Sequence, residues 1–174
     1  TDVKSLALSS FKVRFHGRSA HAAMAPEEGR SALDGLMLAF QGIEYMREHV
    51  REDTRMHYTV TNGGGADNVV PALAEGTVTL RSYNRAYLDT VVERFRDIIT
   101  GAGLMSGTKG ELEEDLPFDS KIPVLRLNQL LMEKAEELNA PTIRPPREKT
   151  GSTDFGNVMY RVPGSCIRVA FVPE

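Results

Sequence analysis

The order in which two kinds of hydrophobic periodicity follow one another most constrains what this 174-residue chain can fold into. Apolar and polar residues alternate, as in half-buried strands, in three segments: 11–15, 56–60 and 78–80. The strongly acidic segment 109–116 is predicted to be a fourth strand. Helical spacing appears in two segments, 33–43 and 88–99, the second of which we expect to stop at the glycines 101, 103 and 107. The order is therefore β-α-β-β-α-β, and both helices must cover one face of a single sheet. We predict an α+β fold, a two-layer ferredoxin-like sandwich with a four-stranded antiparallel sheet, over residues 9–117.

The chain changes character after Phe118. Leucines and an alanine at helical spacing predict a third helix over 127–138, and the apolar run 166–172 predicts one buried strand. One helix and one strand cannot close a core of their own. We therefore expect residues 118–174 to be part of an α/β second domain whose remainder is absent.

Composition excludes several classes of function. The net charge is −3, so there is no excess of basic residues to neutralise the phosphates of a nucleic acid. No apolar run reaches the length of a membrane span, which argues against a membrane partner. The single Cys166 excludes an internal disulfide and suits a reducing compartment, which predicts a cytoplasmic location.

His21 is the first candidate site residue. It lies among small residues in "SAHAA", between a strand end and the start of a helix. A neutral imidazole can donate a hydrogen bond, which suits a group that polarises a carbonyl. The alternative is a solvated loop histidine with no function.

Asn68 and Arg81 form the second candidate site. A guanidinium binds a carboxylate bidentately and an amide can orient it, so the pair suits a substrate carboxylate. An ion pair between Arg81 and the acidic fourth strand is an equally good interpretation. The preceding glycines lack the Lys-Ser/Thr of a phosphate-binding loop, which argues against a nucleotide site.

The segment "GSTDFGN" supplies the third candidates, Gly151, Ser152 and Thr153. Backbone N–H groups at a helix start could bind an anionic end of a substrate. Alternatively, Ser152 or Thr153 is simply the N-cap of a helix with Asp154 in its first turn. The four histidines show no metal-ligand spacing, so no metal ligand is predicted in this chain.

Three motifs in this order, "GRSAHAAMAPEEGRSALDG", "GGGADNVVP" and "GSTDFGNV", resemble the metallopeptidase family of aminoacylases and glutamate carboxypeptidases. Among its members, the amidohydrolase branch that includes the aminobenzoyl-glutamate utilisation protein B is the most similar. The resemblance implies a catalytic domain with two divalent metal ions, zinc or manganese, and an inserted lid domain that forms a homodimer. Residues 9–117 match the lid, and residues 118–174 match the last part of the catalytic domain.

The same resemblance implies roles for the candidate residues. His21 would reach the active site of the partner subunit and stabilise the oxyanion there. Asn68 and Arg81 would bind the free carboxylate of a small-molecule substrate, and Gly151 to Thr153 would line the substrate site. The full enzyme would hydrolyse an N-acyl or N-aroyl amino acid or a dipeptide, for example aminobenzoyl-glutamate, whereas this chain alone is expected to be inactive. Two alternatives are a regulatory ferredoxin-like module that binds an amino acid and a purely structural dimerisation domain.

Overall fold

The computed structural model describes residue 1 and residues 3–140, 143 and 145–168. Its strands are β1 (Ala7–His16), β2 (Arg55–Asn62), β3 (Leu73–Ser82) and β4 (Lys109–Glu114). Its α-helices are α1 (Ala32–Arg47), α2 (Arg85–Ser106), α3 (Leu125–Glu137) and the short α4 (Phe155–Met159). The four strands form one sheet in the order β2-β3-β1-β4. The predicted β-α-β-β-α-β order and the four-stranded antiparallel sheet are thereby confirmed.

The contacts divide the chain into two compact units. The first, called the sandwich unit here, comprises Ser9–Ser82 and Ala86–Pro117 and holds nearly all of the sheet. The second, called the terminal unit, comprises Thr1–Leu8, Tyr83–Arg85 and the described residues from 118 onward. The assignment of 9–117 to a lid and of 118–174 to part of a catalytic domain stays a prediction.

One face of the sheet carries the core of the sandwich unit. Phe11 of β1 lies 5.2 Å from Phe95 of α2, measured between ring centroids. Phe40 of α1 stacks on Tyr58 of β2 at 4.2 Å. Because alternate residues of a strand point to one face, these contacts place both helices on the same side of the sheet, as predicted.

The opposite face of the sheet is polar and carries a network of ion pairs. Glu75 of β3 pairs with Lys12 at 3.1 Å and with Arg14 at 3.0 Å, and Arg14 also pairs with Glu113 of β4 at 2.8 Å. The Lys12 ammonium, followed by the Arg14 guanidinium, lowers the pKa of Glu75 below its ordinary value. Ion pairs between neighbouring strands therefore stabilise the polar face of the sheet. In the strand order, β1 lies between β3, which carries Arg81, and the acidic strand β4.

The expected end of the second helix was wrong in part. Helix α2 runs through Gly101 and Gly103 and ends at Ser106, followed by Gly107 at φ 65°. A Cβ at Gly103 would lie 2.9 Å from the carbonyl oxygen of Thr108. This glycine therefore serves a close approach of two backbones, whereas Gly107 supplies the left-handed conformation that ends the helix.

The terminal unit contains α3, which confirms the third predicted helix, and the short α4. In the expected strand 166–172, residues 169–172 lie outside the described residues, and 166–168 are not part of a strand. In the described part of the chain, no helix combines the length and the hydropathy needed to cross a membrane.

Candidate functional site

The loop after β1, which carries His21, is closed at its base by backbone hydrogen bonds. Arg18 N–H donates to Arg30 O at 2.8 Å, and Arg30 N–H donates to Arg18 O at 2.9 Å. Gly17 N–H donates to Ala72 O at 2.9 Å, just before β3 begins. A Cβ at Gly17 would lie 2.0 Å from Arg30 O, so only glycine allows this closure. The loop is therefore anchored on both sides of His21.

A second loop segment, which carries Asn68, lies against the His21 segment like a short strand. Ala22 N–H donates to Asn68 O, and Val70 N–H donates to Ala20 O, both at 2.9 Å. His21 itself pairs with Val69 across this antiparallel bridge. The structure thus brings His21 and Asn68 together on neighbouring, exposed segments.

The imidazole of His21 is oriented by backbone N–H groups of its own loop. The N–H groups of Ala23 and Met24 both donate to His21 Nδ1, at 3.2 and 3.3 Å. A ring nitrogen that accepts a hydrogen bond carries no proton, so the neutral ring holds its proton at Nε2. His21 is an exposed residue, so the neutral ring can offer this Nε2–H group as a hydrogen-bond donor.

Arg81 lies at the opposite end of β3 from this pair. Ala72, next to the start of β3, closes the loop of His21, whereas Arg81 is the second-last residue of the strand. At about 3.3 Å per residue, the strand between Leu73 and Arg81 spans about 26 Å. A single protomer therefore does not bring Arg81 to the same small substrate as His21 and Asn68.

The remaining predicted residues lie in the terminal unit. Leu6 N–H donates to Gly151 O at 2.9 Å. The N-cap of α4 is Asp154, which corrects the alternative that placed Ser152 or Thr153 at the cap. Thr153 Oγ1 instead accepts the N–H of Phe155 at 3.3 Å.

Gly151, Ser152 and Thr153 line a cavity of about 230 Å³. The other residues of its wall are Lys4, Ser5, Lys121, Arg147, Thr150 and Arg168. Sequence reasoning missed the four basic residues among them. They are spread from position 4 to position 168 with no periodicity, so nothing in the sequence links them.

The described residues do not provide a metal centre. Within the described ranges, no three His, Cys, Asp or Glu residues lie close enough together to hold a metal ion. The residues present therefore do not fit the pair of divalent ions that the resemblance implies, and no catalytic step through a metal is derived from them.

Comparisons with known proteins identify the sandwich unit. Residues 6–104 match the family described as the peptidase dimerisation domain. The chain is 34% identical over 141 residues to a p-aminobenzoyl-glutamate hydrolase subunit of Escherichia coli K12, covering 80% of this chain and 29% of that protein. It is 30% identical over 156 residues to Xaa-Arg dipeptidase of Mus musculus, covering 87% of this chain and 36% of that protein.

Solved structures agree with these relatives. The crystal structure of an aminobenzoyl-glutamate utilisation protein from Klebsiella pneumoniae matches with a TM-score of 0.75 and 28% identity, over 90% of this chain and 40% of that chain. An amidase of the hydantoinase/carbamoylase family from Burkholderia multivorans matches with a TM-score of 0.70 and 19% identity, which shows a shared fold. The family resemblance of the three motifs is confirmed. The chain spans about a third of the length of the curated relatives named above.

Proposed function

This chain belongs to the family of peptidase dimerisation domains, and from that premise we propose that the complete protein is an amidohydrolase. It would hydrolyse the amide bond of an N-acyl or N-aroyl amino acid or of a dipeptide, with aminobenzoyl-glutamate as the example. The relatives support this class, since they include a p-aminobenzoyl-glutamate hydrolase and a dipeptidase. This chain would supply the oxyanion donor, substrate contacts and the dimer interface.

The observation that carries the proposal is the hydrogen bonding of the His21 ring. Attack on an amide places negative charge on the carbonyl oxygen, and a preorganised N–H donor stabilises that charge. Because Ala23 and Met24 already donate to Nδ1, the free donor of the neutral ring is Nε2–H. The small residues next to His21 leave room for a substrate to approach it.

The distance between the candidate residues supports action across a dimer. Within one protomer, about 26 Å of strand separates Arg81 from the loops of His21 and Asn68. We therefore propose that one active site uses Arg81 from its own subunit and His21, with Asn68, from the partner. Arg81 would bind the substrate carboxylate through its guanidinium fork.

A homodimer through the sandwich unit fits the surface of that unit. Strand β2 is an edge of the sheet, so its outer backbone groups can pair with another strand. Tyr58 and Val60 of β2 and Met37 and Tyr45 of α1 expose large apolar side chains. An isologous contact between two copies would cover the edge and these side chains together.

Three further parts of the proposal concern the whole protein. Gly151 to Thr153 would contact the substrate. Two divalent ions, zinc or manganese, would supply Lewis-acid chemistry through residues other than those described here. A cytoplasmic location follows from the lone Cys166, as argued from the sequence.

The test mixes two single variants of the complete enzyme. In His21→Ala dimers both sites lack the donor, and in Arg81→Ala dimers both lack the carboxylate contact. If the residues act from different subunits, each mixed dimer has one site with both residues and one site with neither. Random exchange should then restore about one quarter of the wild-type sites. Alone, His21→Ala should lower kcat by about 10²–10³, as for the loss of one oxyanion donor.

His49→Ala is the matched control, because His49 is an exposed histidine of the same unit just after α1. It should leave kcat unchanged. Light scattering should report a dimer for every variant, and a tagged subunit should verify exchange. If exchange is complete and mixing restores no activity, His21 and Arg81 do not serve one site from two subunits.

A further inference from the structure

Two exposed apolar side chains, Met24 and Val69, lie next to the imidazole of His21. Met24 is 77% exposed and Val69 is 42% exposed, so burial in the core of the sandwich unit does not account for them. A single exposed apolar side chain is common on a protein surface. These two, however, belong to neighbouring loop segments and lie beside the same hydrogen-bond donor.

The pairing of the two loop segments places Val69 on the same face as His21. The hydrogen bonds of this antiparallel bridge join the residues on either side of His21 to those on either side of Val69. This is the pattern of a non-hydrogen-bonded pair, in which the two Cα atoms are about 4.5 Å apart and the side chains are closest. The isopropyl group of Val69 therefore lies beside the imidazole.

Met24 is held next to the same ring through its backbone. Its N–H donates to His21 Nδ1 at 3.3 Å, and the N–H of Ala25 donates to His21 O at 3.0 Å. The Cα of Met24 is one bond, about 1.5 Å, from the donating nitrogen. The methionine side chain therefore starts beside the imidazole, and its unbranched, flexible chain can adapt to a bound group.

We infer that Met24 and Val69 contact the acyl group of the substrate and select a bulky apolar group, such as an aroyl ring, over acetyl. A carbonyl oxygen that accepts the Nε2–H of His21 lies about 2.9 Å from that nitrogen. The acyl group bonded to this carbonyl must therefore pass close to the residues beside the imidazole. The amino-acid half of the substrate carries a charged carboxylate, so the apolar side chains match the acyl half instead.

This inference rests on the proposed function and deepens it, because it assigns two residues to the choice of acyl group. A thioether makes favourable contacts with an aromatic ring, and both side chains would lose water-exposed apolar surface against a bound ring. An acetyl group is too small to cover either side chain. The difference between the two kinds of substrate should therefore depend on Met24 and Val69.

The test compares aminobenzoyl-glutamate with acetyl-glutamate as substrates of the complete enzyme. The measured quantity is the ratio of their kcat/KM values, aroyl over acetyl, in which effects on the shared carbonyl and carboxylate contacts cancel. The wild type should prefer the aroyl substrate. Met24→Gln and Val69→Thr nearly keep the shape of each side chain but make it polar, and each should lower the ratio about three- to tenfold.

Two further variants make the comparison specific. Met24→Leu keeps a large apolar side chain and should leave the ratio within about twofold of the wild type. Met105→Gln is the matched control, because Met105 is 75% exposed but belongs to α2 and to neither loop segment. It should leave the ratio unchanged. Since all three positions are exposed, the melting temperatures of the variants should match that of the wild type.

An unchanged ratio in either Met24→Gln or Val69→Thr would overturn the inference and leave the proposed function intact. A wild type that prefers acetyl-glutamate, or an equal loss in Met105→Gln, would do the same. If the wild type hydrolyses neither substrate, the proposed function fails and the inference fails with it. The mixed-dimer experiment is independent, because Met24 and Val69 accompany His21 in whichever subunit's site it serves.

Discussion

Gly35→Ala tests how closely α1 packs on the sheet. Gly35 is buried near the start of this helix. An added Cβ would lie 2.5 Å from Phe15 Cδ1 and 2.6 Å from Thr108 Oγ1. The Phe15 side chain is 0% exposed, so its ring cannot withdraw into solvent.

The magnitude follows from two opposing effects. Alanine is favoured over glycine by about 1 kcal/mol in a helix. Overpacking of a core costs roughly 1–3 kcal/mol, and two contacts below 3.0 Å place this case in the upper half of that range. We therefore expect Gly35→Ala to lower the free energy of unfolding by about 1–2 kcal/mol.

Gly101→Ala is the matched control in α2, because no atom lies within 4 Å of its added Cβ. This variant should raise the free energy of unfolding by roughly 0.5–1 kcal/mol. Urea unfolding followed by circular dichroism measures both changes as shifts of the midpoint at constant m. The melting temperature should fall for Gly35→Ala and rise for Gly101→Ala, by about 2–4 °C for each kcal/mol of change in the free energy of unfolding. If Gly35→Ala is as stable as Gly101→Ala, the close contact of α1 with Phe15 is refuted.

Three further predictions concern binding, pH and activity. In the complete enzyme, Arg81→Ala should raise KM more than it lowers kcat, because the ground state and the transition state share the carboxylate contact. A lower kcat with an unchanged KM would argue for another role of Arg81. The pKa of Glu75 is lowered by Lys12 and Arg14, so its stabilisation is present above the unfolded pKa and is lost as the pH falls through the folded pKa. The free energy of unfolding of Glu75→Gln should therefore decrease less between about pH 7 and pH 3 than that of the wild type, and parallel pH curves would contradict this. This chain alone should not hydrolyse aminobenzoyl-glutamate with added zinc or manganese in a sensitive assay, since its described residues form no metal site, and metal-dependent turnover by the pure chain would contradict it.

The order of strands and helices could be predicted because it depends on periodicity along the chain. Phe11, Val13 and Phe15 alternate because a strand turns every second side chain to the core. Helix ends were less predictable. Gly101 and Gly103 disfavour a helix locally, yet α2 continues through both, since packing outweighs a propensity of about 1 kcal/mol.

The candidate site was predictable only as separate motifs. The sequence drew attention to His21, Asn68 and Arg81 without showing which of them are neighbours. The sheet places Asn68 beside His21 and puts Arg81 at the other end of β3. Strand pairing, which joins residues far apart in the chain, decides such distances.

By itself, then, the amino-acid sequence determined the β-α-β-β-α-β order and the family, because hydrophobic periodicity and sequence motifs are both patterns of neighbouring residues. Only the tertiary structure decided that the proton of a neutral His21 is at Nε2, since two backbone N–H groups of the folded loop occupy Nδ1. It also decided that Lys4 and Lys121 share one cavity wall. The loop of His21 is held in place by hydrogen bonds to Arg30, Asn68 and Ala72, and Lys4 lies far from Lys121 in the sequence. Both arrangements therefore depend on contacts between distant segments, which no local pattern along the chain encodes.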